Sequence, residues 1–221
     1  MEINKYIDHT ILAAYATKEE IVKLCQEAKQ YDFFSVCVNS CYVPLAAQEL
    51  KGTSVAVCSV VGFPLGQMSK EAKVFETKEA LVQGATEIDM VINVGFLKSG
   101  LVDEVRDEIK AIKDAMGEKV LKVIIETCYL TNEEKVLASQ LSVEAGADFV
   151  KTSTGFGTGG ATLEDIEIMK KAVNGKAKLK ASGGVRDLKT AKEYIEAGVD
   201  RIGTSNGINI VQGIEAEGDS Y

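Results

Sequence analysis

Along its 221 residues the chain alternates short apolar runs with stretches of helical periodicity, eight times over, and few architectures accept that rhythm. The runs lie at residues 6–11, 33–38, 54–61, 86–93 and 120–127, then in a stretch ending near Thr152, and finally at 177–181 and 200–204. Between them, Thr17 with Glu20 and Thr131 with Glu134 fit capping boxes, while Ser69 and Asp187 stand where N-caps are needed. Ile21, Leu24, Cys25 and Ala28 share one helix face, as do Val102, Val105, Ile109, Ile112 and Met116, and a last helix is expected near 208–216. Gly84, Gly146 and Gly198 stop helices before strands, in a weak repeat: VQGATEIDMV, EAGADFVKTS and EAGVDRIGTS. No Pro, Ser or charge run marks a linker. The pattern predicts an α/β fold, one parallel (β/α)8 TIM barrel over residues 1–221 with a short tail at 217–221; an open doubly wound sheet is the alternative.

Composition narrows the partners. A formal charge of −8 disfavours nucleic acid and anionic membrane, which are bound mainly through clustered Lys and Arg, so an anionic ligand has to be held locally. No apolar run approaches the ~18 residues of a membrane span, and the start MEINKYIDHT lacks a basic segment followed by an apolar core, which points to the cytoplasm. The five cysteines include no CxxC pair, so buried free thiols are expected rather than a disulfide framework or a zinc cluster.

In a barrel the helices cover the outer strand faces, so Ile88, Met90 and Ile92 should point outward and Glu87, Asp89, Val91 and Asn93 inward. The same parity puts Lys122 and Glu126 inside, with Asp8 and Lys180 as neighbours. Charged groups are almost never buried unless paired or used. A self-satisfied ion-pair network is one reading. The expected positions of Lys151, Lys180 and Asp89 near the C-terminal strand ends, where barrel active sites are built, favour chemistry. Lys178 shares the parity of Lys180 and is expected at the solvated strand start.

The stretch DFVKTSTGFGTGGAT sets Lys151 at the end of a strand and follows it with four glycines. An amine attacks a carbonyl only when unprotonated, and a lysine of pKa ~10.4 is neutral in about one molecule in 2,500 at pH 7. Bringing the pKa to ~7 takes roughly 4.6 kcal/mol, which a second ammonium can supply by repulsion. Lys180, on the next strand, is placed to do so. A lysine imine is an electron sink that permits carbon–carbon bonds to form or break, and Asp89 suits the proton transfers. Spacing does not say which lysine attacks.

The segments SGGVRD, from Ser182, and GTSNG, from Gly203, follow the last two strands, where barrels commonly bind phosphate through backbone N–H groups. His9, the sole histidine, is expected to pack or hydrogen-bond on the outer face, and a single histidine disfavours metal-assisted aldol chemistry, since a catalytic zinc site usually draws on more than one His or Cys. Cys37 is expected in the core.

These motifs resemble the deoxyribose-phosphate aldolases, class I aldolases of the DeoC type. The resemblance is carried by IDHTIL from Ile7, EIDMVINVG from Glu87, LKVIIETCYL from Leu121, FVKTSTGF from Phe149, KASGGVRD from Lys180 and RIGTSNG from Arg201. It implies that Lys151 forms the Schiff base, that Lys180 perturbs it and moves protons, and that Asp89 is the proton-transfer acid. The implied reaction is reversible cleavage of 2-deoxy-D-ribose 5-phosphate to D-glyceraldehyde 3-phosphate and acetaldehyde, in deoxynucleoside breakdown, with neither metal nor organic cofactor. Gly183, Gly184, Gly203, Ser205 and Asn206 match the family's phosphate loops, and a homodimer is suggested.

Some members carry serine where Asn206 stands and lysine where Phe156 stands, so phosphate here depends more on backbone N–H groups. Tyr221 resembles a terminal tyrosine found in part of the family; either the tail folds over the barrel mouth and brings the phenol near the substrate, or it is a frayed chain end. Two other readings compete: a barrel that holds a phosphosugar without turnover, and a Schiff-base aldolase acting on a ketose.

Overall fold

The computed structural model describes residues 2–214; the tail 217–221 and Tyr221 lie outside the described residues. Eight parallel strands run in chain order: β1 (Ile7–Ile11), β2 (Ser35–Val38), β3 (Ala56–Val61), β4 (Glu87–Val91), β5 (Val120–Ile124), β6 (Phe149–Lys151), β7 (Lys178–Ser182) and β8 (Arg201–Thr204). Each pairs with the next, and β8 pairs with β1 through Ile202 to Ile7 and Thr204 to His9. That last pairing closes the barrel and excludes the open sheet.

The helices are α1 (Lys18–Gln30), α2 (Val43–Glu49), α3 (Lys70–Val82), α4 (Val94–Lys98), α5 (Val102–Met116), α6 (Asn132–Glu144), α7 (Leu163–Val173), α8 (Leu188–Ala197) and α9 (Gly207–Gln212). Both capping boxes form: Thr17 Oγ1 accepts from Glu20 N at 3.3 Å while Thr17 N donates back to the Glu20 carboxylate at 2.7 Å, and Thr131 and Glu134 repeat the exchange at 3.3 and 2.8 Å. Ser69 and Asp187 cap α3 and α8 as their positions predict. No helix among the described residues is long and apolar enough to cross a membrane.

Strand alternation sorts the side chains into two regions. Ile88, Met90, Leu121, Val123 and Val150 point outward, fully buried against Ile21, Ile109, Ile112, Ile166 and Met169 of the helices. Burial of each such side chain stabilises the fold by roughly 1.5–3 kcal/mol. His9 also points outward, bonded to Glu27 of α1 at 2.7 Å and tilted against the Phe33 ring at 5.0 Å. The inward row is polar.

Several boundaries differ from those read off the sequence, for local reasons. The expected strand at 86–93 stops at Val91 because the Asn93 side chain accepts from Phe96 N at 3.0 Å and opens the short helix α4, which apolar periodicity did not reveal. The expected strand at 120–127 stops at Ile124, since Glu126 adopts a left-handed backbone with φ 54°. The strands expected from 33 and 54 begin at Ser35 and Ala56, the expected 177–181 strand is Lys178–Ser182, and the final helix ends at Gln212.

Lys73 of α3 was also illegible in the sequence. It is fully buried, with Nζ donating to the Val91 carbonyl at 2.9 Å and pairing with Glu108 of α5 at 2.8 Å. Burial pulls the Lys73 pKa down and pushes that of Glu108 up, each partly offset by the other. The stem lies under Gly62, where an added Cβ would stand 2.7 Å from Lys73 Cε. This pair ties the C-terminal end of β4 to two helices, and β4 carries Asp89.

Candidate active site

The barrel interior holds a single connected set of charges. Asp89 lies at its centre: Oδ1 accepts from Lys122 Nζ at 3.0 Å and from the Cys58 thiol at 3.1 Å, while Oδ2 accepts from Lys151 and Lys180, each at 2.8 Å. Lys122 also bonds Glu87 at 2.6 Å, and Lys180 bonds Asp8 at 2.5 Å. Arg201 closes the chamber from below, 2.8 Å from Asp8 and stacked over the Phe34 ring at 3.3 Å. Ser35 donates at 2.6 Å to the same oxygen of Asp8 that Arg201 bonds.

The charges hold one another. Burial would raise the pKa of Asp89, but Lys122, Lys151 and Lys180 together hold it well below the usual carboxylate range. Asp8 is likewise lowered against its own desolvation by Lys180, Arg201 and Lys122. Burial would lower Lys122 and Lys180; the surrounding carboxylates raise both above the ordinary lysine range, Asp89 leading for Lys122 and Asp8 for Lys180. Asp89 is therefore a carboxylate at rest, and any proton it gives must first reach it from a neighbour.

The three lysines are not equivalent. Lys122 is shared by Glu87 and Asp89, and Lys180 by Asp8 and Asp89; Lys151 has one oxygen of Asp89, which it divides with Lys180. Of the three, Lys151 alone lines the cleft at the barrel mouth. It ends its strand, as read from the sequence. Asp89 and Lys180 do not: each is the middle residue of a five-residue strand, one layer below the mouth, with Val91 and Ser182 as the strand ends two residues further on. Lys178 begins β7, exposed, with its ammonium 5.7 Å from the Phe149 ring.

The cleft, about 100 Å³ in volume, runs from Lys151 to the turns after β7 and β8 and is lined by Gly183, Gly184, Gly203, Ser205 and Asn206. Gly183 and Gly184 have φ of 83° and 81°, a conformation other residues rarely take. Thr204 fastens the two turns together: its hydroxyl donates to Val185 O at 2.6 Å and accepts from Asn206 N at 2.9 Å. The N-terminus of α8 is not free, since the Asp187 side chain already accepts from Thr190 N at 2.9 Å. After β7, then, an anion would meet turn N–H groups instead of a helix end. The sequence reading missed Thr10, Leu12 and Arg186, which also line the cleft; Thr10 shares the inward parity of Asp8 and could have been found that way.

The glycine-rich stretch after Lys151 serves as the wall above it. Gly160 packs so closely on the turn after β7 that an added Cβ would stand 2.2 Å from Gly183 O. Ala161 N donates to Ser182 O and Gly183 O, both at 3.1 Å. Phe156 meets Phe63 edge-on at 5.3 Å across the mouth. Glu126 lies under this wall rather than inside the barrel, its carboxylate taking Thr154 N at 3.1 Å and the Thr154 hydroxyl. Its left-handed backbone breaks the alternation that predicted an inward side chain.

Removing Lys122 tests the charge network. Lys122→Met leaves Asp89 and Glu87 buried with one cation fewer and is expected to cost about 3–5 kcal/mol at pH 7, read from urea unfolding. Native Asp89, held well below the usual carboxylate range, contributes above its unfolded pKa of about 4 and loses that contribution only as pH falls through the lowered native value, whereas in the variant it lacks Lys122, the strongest of the cations that hold it down, and protonates more readily. The gap between variant and parent should therefore narrow as pH falls from 7 towards 4; a gap that is constant or widens contradicts the assignment.

A model of the DeoC/LacD family aldolases matches residues 3–213. Deoxyribose-phosphate aldolase of Brevibacillus brevis is 58% identical over 221 residues, 100% of both chains. That of Finegoldia magna is 59% identical over 213 residues, 96% of this chain and 100% of the relative. Among solved structures, deoxyribose phosphate aldolase from Aeropyrum pernix, described as tetrameric, superposes with a TM-score of 0.87 at 32% identity, over 95% of this chain and 89% of that one. A family match over nearly the whole chain agrees with a barrel that presents one lysine of a buried charge network to a cleft, and the chain belongs to the DeoC/LacD aldolase family.

Proposed function

We propose that the chain is a class I aldolase that reversibly cleaves 2-deoxy-D-ribose 5-phosphate to D-glyceraldehyde 3-phosphate and acetaldehyde, with Lys151 as the Schiff-base residue. The observation that carries the lysine assignment is the inequality of the three: Lys151 alone opens on the cleft and has a single shared carboxylate oxygen. The chamber holds Lys122, Lys151, Lys180 and Arg201 against Asp8, Glu87 and Asp89. Four cationic side chains thus face three carboxylates, and Lys151 is the one with the fewest carboxylate partners.

Lys151 attacks the C1 carbonyl of the open-chain sugar, and loss of water from the carbinolamine leaves an imine that withdraws electrons from C2. The C3 hydroxyl gives up its proton as the C2–C3 bond breaks. The C3 fragment leaves as the aldehyde, and the bond pair passes to an enamine on Lys151. Protonation at C2 and hydrolysis release acetaldehyde and restore the amine. Lys180 and Asp89 move the protons through bound water: Lys180 remains an ammonium that repels charge on Lys151, and Asp89 acts as acid only after taking a proton from a neighbour. The electron sink belongs to the chain itself, so the reaction has no need of a metal or organic cofactor. The phosphate is held by Gly183, Gly184, Gly203, Ser205 and Asn206. The apolar Phe156 adds no charge at the mouth, so backbone N–H groups carry more of the binding.

The chain acts in the cytoplasm, as its free thiols favour, and pairs as a homodimer. Phe75 and Val82, seven residues apart on α3 and 67% and 83% exposed, make an apolar strip that a second copy could cover. Light scattering during size-exclusion chromatography should give twice the chain mass, and Phe75→Glu should shift it towards the monomer.

Borohydride added with acetaldehyde should leave an ethyl group on Lys151, found by peptide mass, and Lys151→Ala should lose both the adduct and about 10³-fold or more of turnover. An adduct on Lys180 instead would overturn the assignment. Gly184→Ala forces a side chain into φ 81° and should raise KM for the phosphorylated sugar with little change in kcat, while turnover of unphosphorylated deoxyribose stays the same. A fall in kcat on both substrates would place Gly184 outside the phosphate site.

A further inference from the structure

Two cysteines far apart in sequence meet inside the barrel. Cys37 on β2 and Cys58 on β3 are register partners, both point inward and both are fully buried. Their sulfurs and a carboxylate oxygen of Asp89 all lie within 4.8 Å of one another. The sequence pattern hid this pair, since the residues share no CxxC spacing; only neighbouring strands bring them together.

We propose that Cys37, Cys58 and Asp89 form a binding site for a thiophilic d10 cation of the Zn²⁺ or Cd²⁺ class, and that the bound ion inhibits the enzyme. The separations suit an ion better than a disulfide. At a metal–sulfur distance of about 2.3 Å, two thiolates around a tetrahedral ion stand about 3.8 Å apart, a spacing reached here by side-chain rotation. A disulfide needs Cβ atoms about 3.8 Å apart, less than the roughly 4.8 Å between neighbouring strands, and so would draw β2 and β3 together.

Charge selects the class of ion. The chamber already contains four cationic side chains against three carboxylates, and a hard dication such as Mg²⁺ would add its full charge to that excess. With two thiols the reaction is M²⁺ + 2 RSH → M(SR)₂ + 2 H⁺, which leaves the net charge of the chamber unchanged and involves no oxidation. The third ligand explains the inhibition. An ion on Asp89 Oδ1 displaces the bonds now made there by the Cys58 thiol and Lys122, and turns the carboxylate whose other oxygen holds Lys151 and Lys180. The thiol pair is buried in an apolar cluster with Leu12 and Val60, against which Phe63 packs, so binding should be slow.

Inhibition rests on the aldolase reading; binding does not. The test uses the full chain with the exposed Cys41 changed to Ser, titrated with cadmium chloride while thiolate-to-cadmium absorption and turnover are followed together. The expected result is one cadmium per chain with the absorption of two thiolates, turnover falling about tenfold or more in parallel, and recovery with EDTA. Magnesium chloride should do neither. Adding Cys37→Ala should preserve metal-free turnover and abolish both absorption and inhibition, and Cys58→Ala, followed by absorption alone, provides a second variant should the first fold poorly. Absent thiolate absorption, or absorption that persists in both variants, overturns the site. Absorption with turnover unaffected overturns the inhibition, and a chain without aldolase turnover still reports binding through absorption.

Discussion

One carboxylate organises the interior. Asp89 takes four donors, three of them lysines, at 2.8 to 3.1 Å, and every other charge in the chamber can be placed by its relation to it. Burying an ion costs several kcal/mol after relaxation, and a lysine alone in this barrel would lose its proton or unfold its surroundings. Asp89 allows three lysines to be buried side by side, and the unequal division of its two oxygens makes them different. Lys122 and Lys180 each have a second carboxylate, and Lys151 has none among the described residues. Lys151 is thus the least satisfied member of a well-satisfied set.

The rest of the molecule keeps Asp89 in place. β4 is fastened on its outer side by Ile88 and Met90 in the helical layer, and at its C-terminal end by Lys73 through the Val91 carbonyl. On the mouth side the glycine-rich wall leans on the turn after β7, and Thr204 binds that turn to the next one. The turns after β7 and β8 and the Lys151 amine are therefore rigidly related. The same closeness places two thiols against the central carboxylate, where a soft cation competes with the ammonium groups.

Much of this was visible without coordinates. Eight alternating runs and the capping boxes at Thr17 and Thr131 determined the element order, and the period of two in EIDMVINVG put Glu87 and Asp89 inside. Parity failed at Glu126, where a single left-handed residue ended the alternation, and at Asn93, whose side chain capped a helix too short to show a period. Lys73 and Arg201 escaped because a buried charge is recognisable only beside its partner, and Glu108 and Asp8 lie 35 and 193 residues away.

What the sequence determined by itself was periodic or local: a closed set of strands and helices, a polar inner row, and two glycine turns on consecutive strands. Those features depend on φ/ψ preferences and on spacing within a few residues. Only the tertiary structure decided which lysine faces the cleft, which are doubly paired, and that Cys37 and Cys58 meet at Asp89. These follow from the stagger between strands of a closed barrel, a relation among distant segments. Coulomb and hydrogen-bond energies fall off over a few ångströms, so residues with similar local sequence acquire different partners once the barrel closes.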